Sequence, residues 1–278
     1  MNPKPLTHEP HMSGTDQTAA ALLRAGKLAD AVAAGQAALR KAPTDLNARV
    51  LLGELLAFTG NLERADVVLD AASAIDPTTA LVVAEFRQLI RADMARRQLF
   101  RDGRVPEFLA DPTEAQRLQL AALVSLRAGD LTEAARQAEA AEAARPRAPG
   151  HHGEDVFDDL RDADDLIGGS FEVLTTTGKY FWIPIERVQT LEFHAPKRPR
   201  DLLWRRASMS VANGPDGEVY IPAVYAAEDA ITDALRLGRE TDWREADGGP
   251  VRGVGQRLFM MGDDAVAMMD LHNIRFRP

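Results

Sequence analysis

The stretch Val50–Pro77, VLLGELLAFTGNLERADVVLDAASAIDP, reads as two amphipathic helices and a stop. Val50, Leu51, Leu52, Leu55, Leu56 and Phe58 form the first apolar face, Gly60-Asn61 breaks it, and Ala65, Val68, Leu69 and Ala72 form the second. Pro77 ends the second helix, because its ring and missing N–H cannot continue one. Small residues at Gly53, Ala65 and Ala72 predict close helix approach. The pattern repeats on both sides. Pro43, Pro77, Pro112 and Pro146 fall 34, 35 and 34 residues apart. Gly26, Gly60 and Gly129 each stand 17 residues before one of these prolines, and Ala31, Ala65 and Ala134 follow the glycines by five. A period of about 34 residues is the length of a helix–turn–helix unit that stacks into a solenoid. Such stacks present concave surfaces to other proteins, which points toward binding and away from catalysis.

In tetratricopeptide (TPR) register, Gly26/Ala31/Ala38/Pro43, Gly60/Ala65/Ala72/Pro77 and Gly129/Ala134/Ala141/Pro146 resemble the small-residue and terminator positions of that repeat. In the first unit, Leu22, Leu23, Leu28, Val32, Ala38 and Leu39 fit two helices about Gly26-Lys27. The third unit departs. Thr78 to Arg101 reads as one long helix, and Asp102-Gly103 followed by Val105 to Leu109 leaves room only for a short second element before Pro112 closes the unit. Each unit exposes an apolar face without a neighbour, so the carboxy-terminal half is expected to cap the end of the stack.

Composition bounds the rest. A chain of 278 residues is long enough for two domains. Hydrophobic residues make up 45% and charged residues 27%, as in ordinary globular proteins. A net charge of −9 and a pI near 5.2 lean against nucleic acid as the main partner, since phosphate binding needs a basic face. The absence of cysteine removes thiolate metal sites, disulfides and cysteine nucleophiles, and fits a reducing compartment. Residues 1–15, MNPKPLTHEPHMSGT, hold three prolines and no apolar run, and read as a disordered tail. No segment approaches the roughly 18 apolar residues of a membrane helix, so a cytoplasmic location is expected. The chain therefore reads as α+β: a TPR-like helical solenoid over 16–146, a linker with an acidic helix over 147–169, and a small, mostly antiparallel β domain over 170–278.

Pro146 to Gly153 is a loop by composition, and the acidic run from Glu154 to Ile167 follows it. His151 and His152 beside these carboxylates suggest a metal site, but Asp155, Asp158, Asp159 and Asp162 lie at helical intervals. A helix with an acidic solvent face explains the spacing without a metal. No H-E-x-x-H and no calcium-loop pattern is present, so neither metal nor cofactor is expected. An acidic surface that meets a basic partner is the other reading of this run.

From Ser170 the pattern changes to short alternating strands. Phe171–Leu174 and Tyr180–Ile183 flank a hairpin turn, Val188–Phe193 follows, and Ala207–Ala212 joins Glu218–Pro222 across Asn213-Gly214-Pro215-Asp216-Gly217. Ile231–Leu237 reads as a helix ended by Gly238, and Arg257–Met261 pairs with Ala265–Leu271. Six or seven strands and one helix result, with the acidic helix packed on the bent sheet. Ser208, Ser210, His194 and His272 lack catalytic settings, and Gly253-Val254-Gly255 precedes a strand where a dinucleotide fingerprint would open a helix. Trp182, Trp204 and Trp243 suit a small core.

Several blocks together resemble one family. Gly178-Lys179-Tyr180-Phe181-Trp182-Ile183-Pro184, Arg200-Asp201-Leu202-Leu203-Trp204, Leu237-Gly238-Arg239-Glu240-Thr241-Asp242-Trp243 and Gly255-Gln256-Arg257-Leu258-Phe259, after a TPR-like half, are similar to the ImpE/TagJ (SciE-type) family. The resemblance runs from about residue 17 to residue 277. It implies a non-enzymatic accessory protein of bacterial type VI secretion. Such a protein binds a helical segment of the small contractile-sheath subunit and is linked to the ATPase that recycles the sheath. TPR register places Leu23, Arg24, Glu54, Phe58, Arg87 and Arg91 on the inward face as a candidate peptide surface. Trp182, Trp204, Gln256 and Arg257 of the β half form a second candidate. Two other readings compete: a TPR scaffold for another complex, and a hydrolase using carboxylates of the Asp155–Asp165 run in a deep polar pocket.

Overall fold

The helical half runs α1 (Gly14–Arg24), α2 (Leu28–Lys41), α3 (Leu46–Phe58), α4 (Leu62–Ile75), α5 (Ala80–Asp102), α6 (Glu114–Arg127) and α7 (Leu131–Ala144). The structure, a computed structural model, describes residues 14–226 and 231–277, so most of the tail expectation over 1–15 falls outside the described residues. Starts are set by local chemistry. Asp45, Asn61, Thr113 and Asp130 accept hydrogen bonds from first-turn amides of α3, α4, α6 and α7, and Thr113 makes a reciprocal box with Gln116. Ends are set by glycines at positive φ: Gly26, Gly60 and Gly129 lie at φ 79, 80 and 81°.

Gly103 shares that conformation at φ 80° and is the turn glycine of the third unit. The unit keeps its length but spends it differently. Helix α5 takes 23 residues, against 13 or 14 for the helices from α2 to α4, and no second helix follows. Residues 104–112 run as an extended strip back toward Thr113. Glu107 N donates to the Tyr180 carbonyl at 2.8 Å and its carbonyl accepts from Trp182 N at 3.1 Å, so the strip pairs with a strand edge. Pro112 closes no helix here; it precedes the Thr113 cap of α6.

The β half contains β1 (Gly150–His152), β2 (Asp155–Phe157), β3 (Leu160–Asp162), β4 (Ser170–Leu174), β5 (Tyr180–Pro184), β6 (Val188–Phe193), β7 (Trp204–Val211), β8 (Asp216–Pro222), β9 (Thr241–Arg244), β10 (Arg252–Gly255), β11 (Leu258–Met261), β12 (Asp264–Ala267) and β13 (Asn273–Phe276). Eight of them form one sheet, ordered β2-β1-β13-β6-β7-β8-β4-β5; β12-β11-β3 and β10-β9 form two smaller ones. Every strand pair is antiparallel. The chain is therefore α+β, a TPR-like helical half followed by an antiparallel β half. The expected strands form, except that Ala265–Leu271 is a strand only to Ala267 and turns into a 3-10 helix over Met268–Asp270. Six more, β1–β3, β9, β10 and β13, are pieces of three or four residues, too short to show a period of two. The expected helix before Gly238 is one turn, α8 (Asp233–Arg236).

The expected acidic helix and part of the expected Pro146–Gly153 loop are overturned, the latter because Gly150–His152 is β1. The acidic run forms no helix: Asp155–Phe157 pairs with β1, Leu160–Asp162 pairs with β11, and turns complete the segment. Its helical spacing of carboxylates loses to strand pairing, because the interior supplies partners for two of them. Asp162 and Asp164 are buried, not displayed on a solvent face.

Two clusters form the core. The first joins the helices to the inner side of the β half, with Leu55, Phe58, Phe86 and Ile90 meeting Trp182, Leu203, Trp204 and Tyr225. The second lies within the sheets around Phe171, Leu191, Ile221 and Phe259.

Candidate functional site

The concave side of the helical stack is the place to look for a bound peptide, and the chain's own β half fills it. A short 3-10 turn, Pro199–Leu202, lies against α3. From it Arg200 reaches Glu54 Oε1 at 3.4 Å and sits 4.7 Å over the Phe86 ring. Trp204, next along, meets Phe86 edge-on at 6.0 Å. Farther on, Asp233 Oδ2 accepts from Leu28 N and Ala29 N, at 2.8 and 3.3 Å, and caps the start of α2 from outside. Arg236 donates to the Thr59 carbonyl at 3.1 Å, and Arg239 to the Leu23 and Arg24 carbonyls, both at 2.9 Å. These arginines satisfy the carbonyls that helix ends leave open and complement the negative ends of α3 and α1.

A buried ionic network welds the two halves. Arg96 of α5 grips Glu172 of β4 with two hydrogen bonds of 2.8 Å and donates a third, at 3.0 Å, to the Val224 carbonyl. Arg257 reaches the same carboxylate at 3.2 Å and Asp162 Oδ2 at 2.6 Å. Tyr180 OH donates to Glu172 Oε1, Trp182 Nε1 donates to Tyr180 OH at 2.6 Å, and Tyr225 OH donates to Asp162 Oδ1 at 3.0 Å. Burial alone would raise Glu172, but Arg96 and Arg257 override it and hold the acid down at about 2. Arg96, Glu172, Arg257 and Asp162 alternate in sign, and Asp93, buried 3.6 Å from Arg96, is shared with Arg97, so each charge of the dry interior faces an opposite one.

Each anticipated site residue now has a place. Leu23, Glu54 and Phe58 are buried beneath the β half. Burial pushes Glu54 up to about 7 against the lowering influence of Arg200. Arg87 pairs with Asp66 and Asp70 of α4, while Arg24 and Arg91 are exposed. Trp182, Trp204 and Arg257, the core of the second candidate surface, are interior residues, at most 1% exposed. They build the interface between the halves and offer nothing to the exterior. Gln256 is half-buried and its amide donates to the Gly238 carbonyl. Trp243 is also half-buried, against the Tyr225 ring.

Asp165 of the acidic run lines an open groove with Glu139, Glu142 and Arg161, while Asp162 and Asp164 are shut away from it. Asp164, raised to about 7 by burial, accepts from Leu166 N and Gly253 N at 2.9 Å each, and Asp162 is committed to Arg257 and Tyr225. His194 Nε2 lies 3.0 Å from Ser208 Oγ on the sheet surface, and no carboxylate bonds that imidazole among the described residues. No group of three or more His, Asp or Glu side chains is placed to hold a metal ion among the described residues, and no helix there is long and apolar enough to cross a membrane.

Sequence reasoning missed Arg96 and Glu172, which join the halves, and Asp233 and Arg236, which close the concave face, and it quoted Arg200 and Arg239 without giving them a site role. Their signal existed only in part: uncapped carbonyls at the ends of α1 and α3 require donors, but nothing local says they come from some 200 residues away.

Comparison with known proteins fits this architecture. Residues 22–85 match the tetratricopeptide repeat and residues 154–275 match the ImpE protein family. Over 260 residues, 92% of this chain and 90% of the relative, the sequence is 36% identical to the type VI secretion system accessory component TagJ of Pseudomonas aeruginosa. The chain belongs to the ImpE family. An X-ray crystal structure of a Vibrio parahaemolyticus protein superimposes on it with a TM-score of 0.88 at 28% identity, covering 94% of this chain and 98% of that one. In this ImpE-family chain the blocks that carry the resemblance are largely interface: Tyr180 and Trp182 in the ionic network, Arg200 and Trp204 against α3 and α5, Arg239 on the end of α1.

Proposed function

We propose that this protein is a non-catalytic, cytoplasmic adaptor of a type VI secretion machine that binds a helical segment of the small contractile-sheath subunit. The observation that carries the reading is the near full-length likeness, at 36% identity, to a relative named as an accessory component of that system. Two features of the chain agree with it. Half of the molecule is a repeat scaffold, and the buried carboxylates Glu172, Asp162 and Asp164 are each held by arginine, tyrosine or backbone N–H groups. The sheath-recycling ATPase is the second partner this reading names. The inward face suggested by register is largely occupied in cis, so contact with a partner falls to surfaces outside it; of that set only Arg24 and Arg91 stand exposed. Calorimetric titration with the small sheath subunit of the same cell is the test. Saturable binding at micromolar concentrations is expected, and no heat at concentrations of about 50 µM, near −6 kcal/mol on the affinity scale, would overturn the proposal.

A further inference from the structure

The repeat register marks one helix face that ought to be covered and is not. In α3, Ala48, Leu52 and Leu55 are buried. What covers them includes α2, whose Gly35 lies 3.4 Å from the Leu52 and Leu55 methyls when its missing Cβ is placed. The corresponding residues of α6 are Arg117, Ala121 and Val124, since Leu55 and Val124 each stand five residues before their turn glycines, Gly60 and Gly129. The helix that would cover them, the second of the third unit, was surrendered to the length of α5. Leu55 is 0% exposed and Val124 58% exposed. The strip that replaces the lost helix starts at Gly103, beside Arg127 near the end of α6, and returns to Thr113 at its start. It does not cover Val124, and it adds two apolar side chains of its own to the outside, Val105 at 63% and Leu109 at 42%. Three of the eight large apolar side chains exposed among the described residues thus fall between positions 105 and 124.

We infer that this face of α6, centred on Val124, is a docking site for an amphipathic α-helix of a partner, which takes the place of the missing helix in the stack. The repeat itself identifies the occupant. Where the register is intact, the same face is closed by an antiparallel helix that offers small or apolar residues at i, i+4 and i+7, as Ala31, Gly35 and Ala38 do on α2. Arg104 and Arg117 donate only to Gln98 and to the Pro112 carbonyl, so carboxylates flanking the partner's apolar stripe would find two arginines without acidic partners among the described residues. The inference rests on the adaptor reading above and assigns it a location.

The test compares the full-length protein with Val124→Asp, Val124→Ile and, as a control of equal exposure on a distant edge strand, Val156→Asp. Each is titrated with the purified small sheath subunit, and a thermal melt checks folding. Replacing a valine that the docked helix would cover with a carboxylate should weaken binding about tenfold or more. Val124→Ile and Val156→Asp should stay within about twofold of the parent, and all melts should coincide. Parent-like binding by Val124→Asp, or an equal loss in Val156→Asp, overturns the docking site while leaving the adaptor reading intact. Absence of binding by the parent protein overturns both. Self-association of the parent that Val124→Asp abolishes overturns the assignment to a partner, because a second copy would then be the occupant.

Discussion

Arg96 shows at the level of one residue how the chain spends charge to hold its halves together. Its guanidinium is 2% exposed and bonds Glu172 on β4 and the carbonyl of Val224, so it belongs to both halves at once. Arg96→Leu would leave Glu172 short of two charge-assisted bonds in a dry site and should cost about 3–5 kcal/mol, measured by urea denaturation. Glu54 behaves differently. Its carboxyl is raised by burial to about 7 from an ordinary value near 4.5, so the folded state binds a proton more tightly than the unfolded chain. Stability from this group is complete below about pH 4.5 and is lost as pH rises through 7. Glu54→Gln removes that dependence; relative to the parent it should gain roughly 1–3 kcal/mol between pH 4.5 and pH 8. A parallel pH dependence of the two proteins in denaturation midpoints would refute this.

At the scale of the element, the third unit shows how a repeat is modified without losing its place in the stack. Its 35-residue length and its long helix were legible from Pro77, Pro112 and the run Thr78–Arg101, but the short second element expected before Pro112 is an extended strip. The positive-φ role of Gly103 was hidden, because that glycine sits out of step with Gly26, Gly60 and Gly129. The loss of a covering helix has a measurable consequence. Leu55→Ala in α3 should cost about 2–5 kcal/mol, since its side chain is fully enclosed. Val124→Ala, its register mate, should cost less than about 0.5 kcal/mol in the free protein. Equal losses at the two positions would mean that α6 is covered after all. The acidic run 154–167 failed at this same scale. Helical intervals between carboxylates carry information only if the carboxylates are solvated, and Asp162 and Asp164 have interior partners that no local pattern reveals.

For the whole molecule, the first core cluster includes residues of both halves, so the two should not unfold independently. Trp182 and Trp204 lie in that junction and Trp243 against Tyr225, which makes fluorescence a reporter of the β half and its interface. Helix content followed by far-ultraviolet circular dichroism should therefore melt in a single transition that coincides with tryptophan fluorescence. Two separated midpoints would show that the ionic network does not couple the halves.

Taken alone, the sequence determined the α+β class, the stack and its irregular unit, the seven principal strand runs and the family, because each is written in local periodicity, turn glycines or contiguous blocks. Tertiary structure alone decided which surfaces remain open. A concave groove that register offers to a peptide is filled by Pro199–Leu202, Trp204, Asp233 and Arg239, whose contacts span up to about 216 residues of chain. Periodicity reports which side of a helix is apolar. It does not report what covers that side, since burial depends on contacts that only the folded chain brings together.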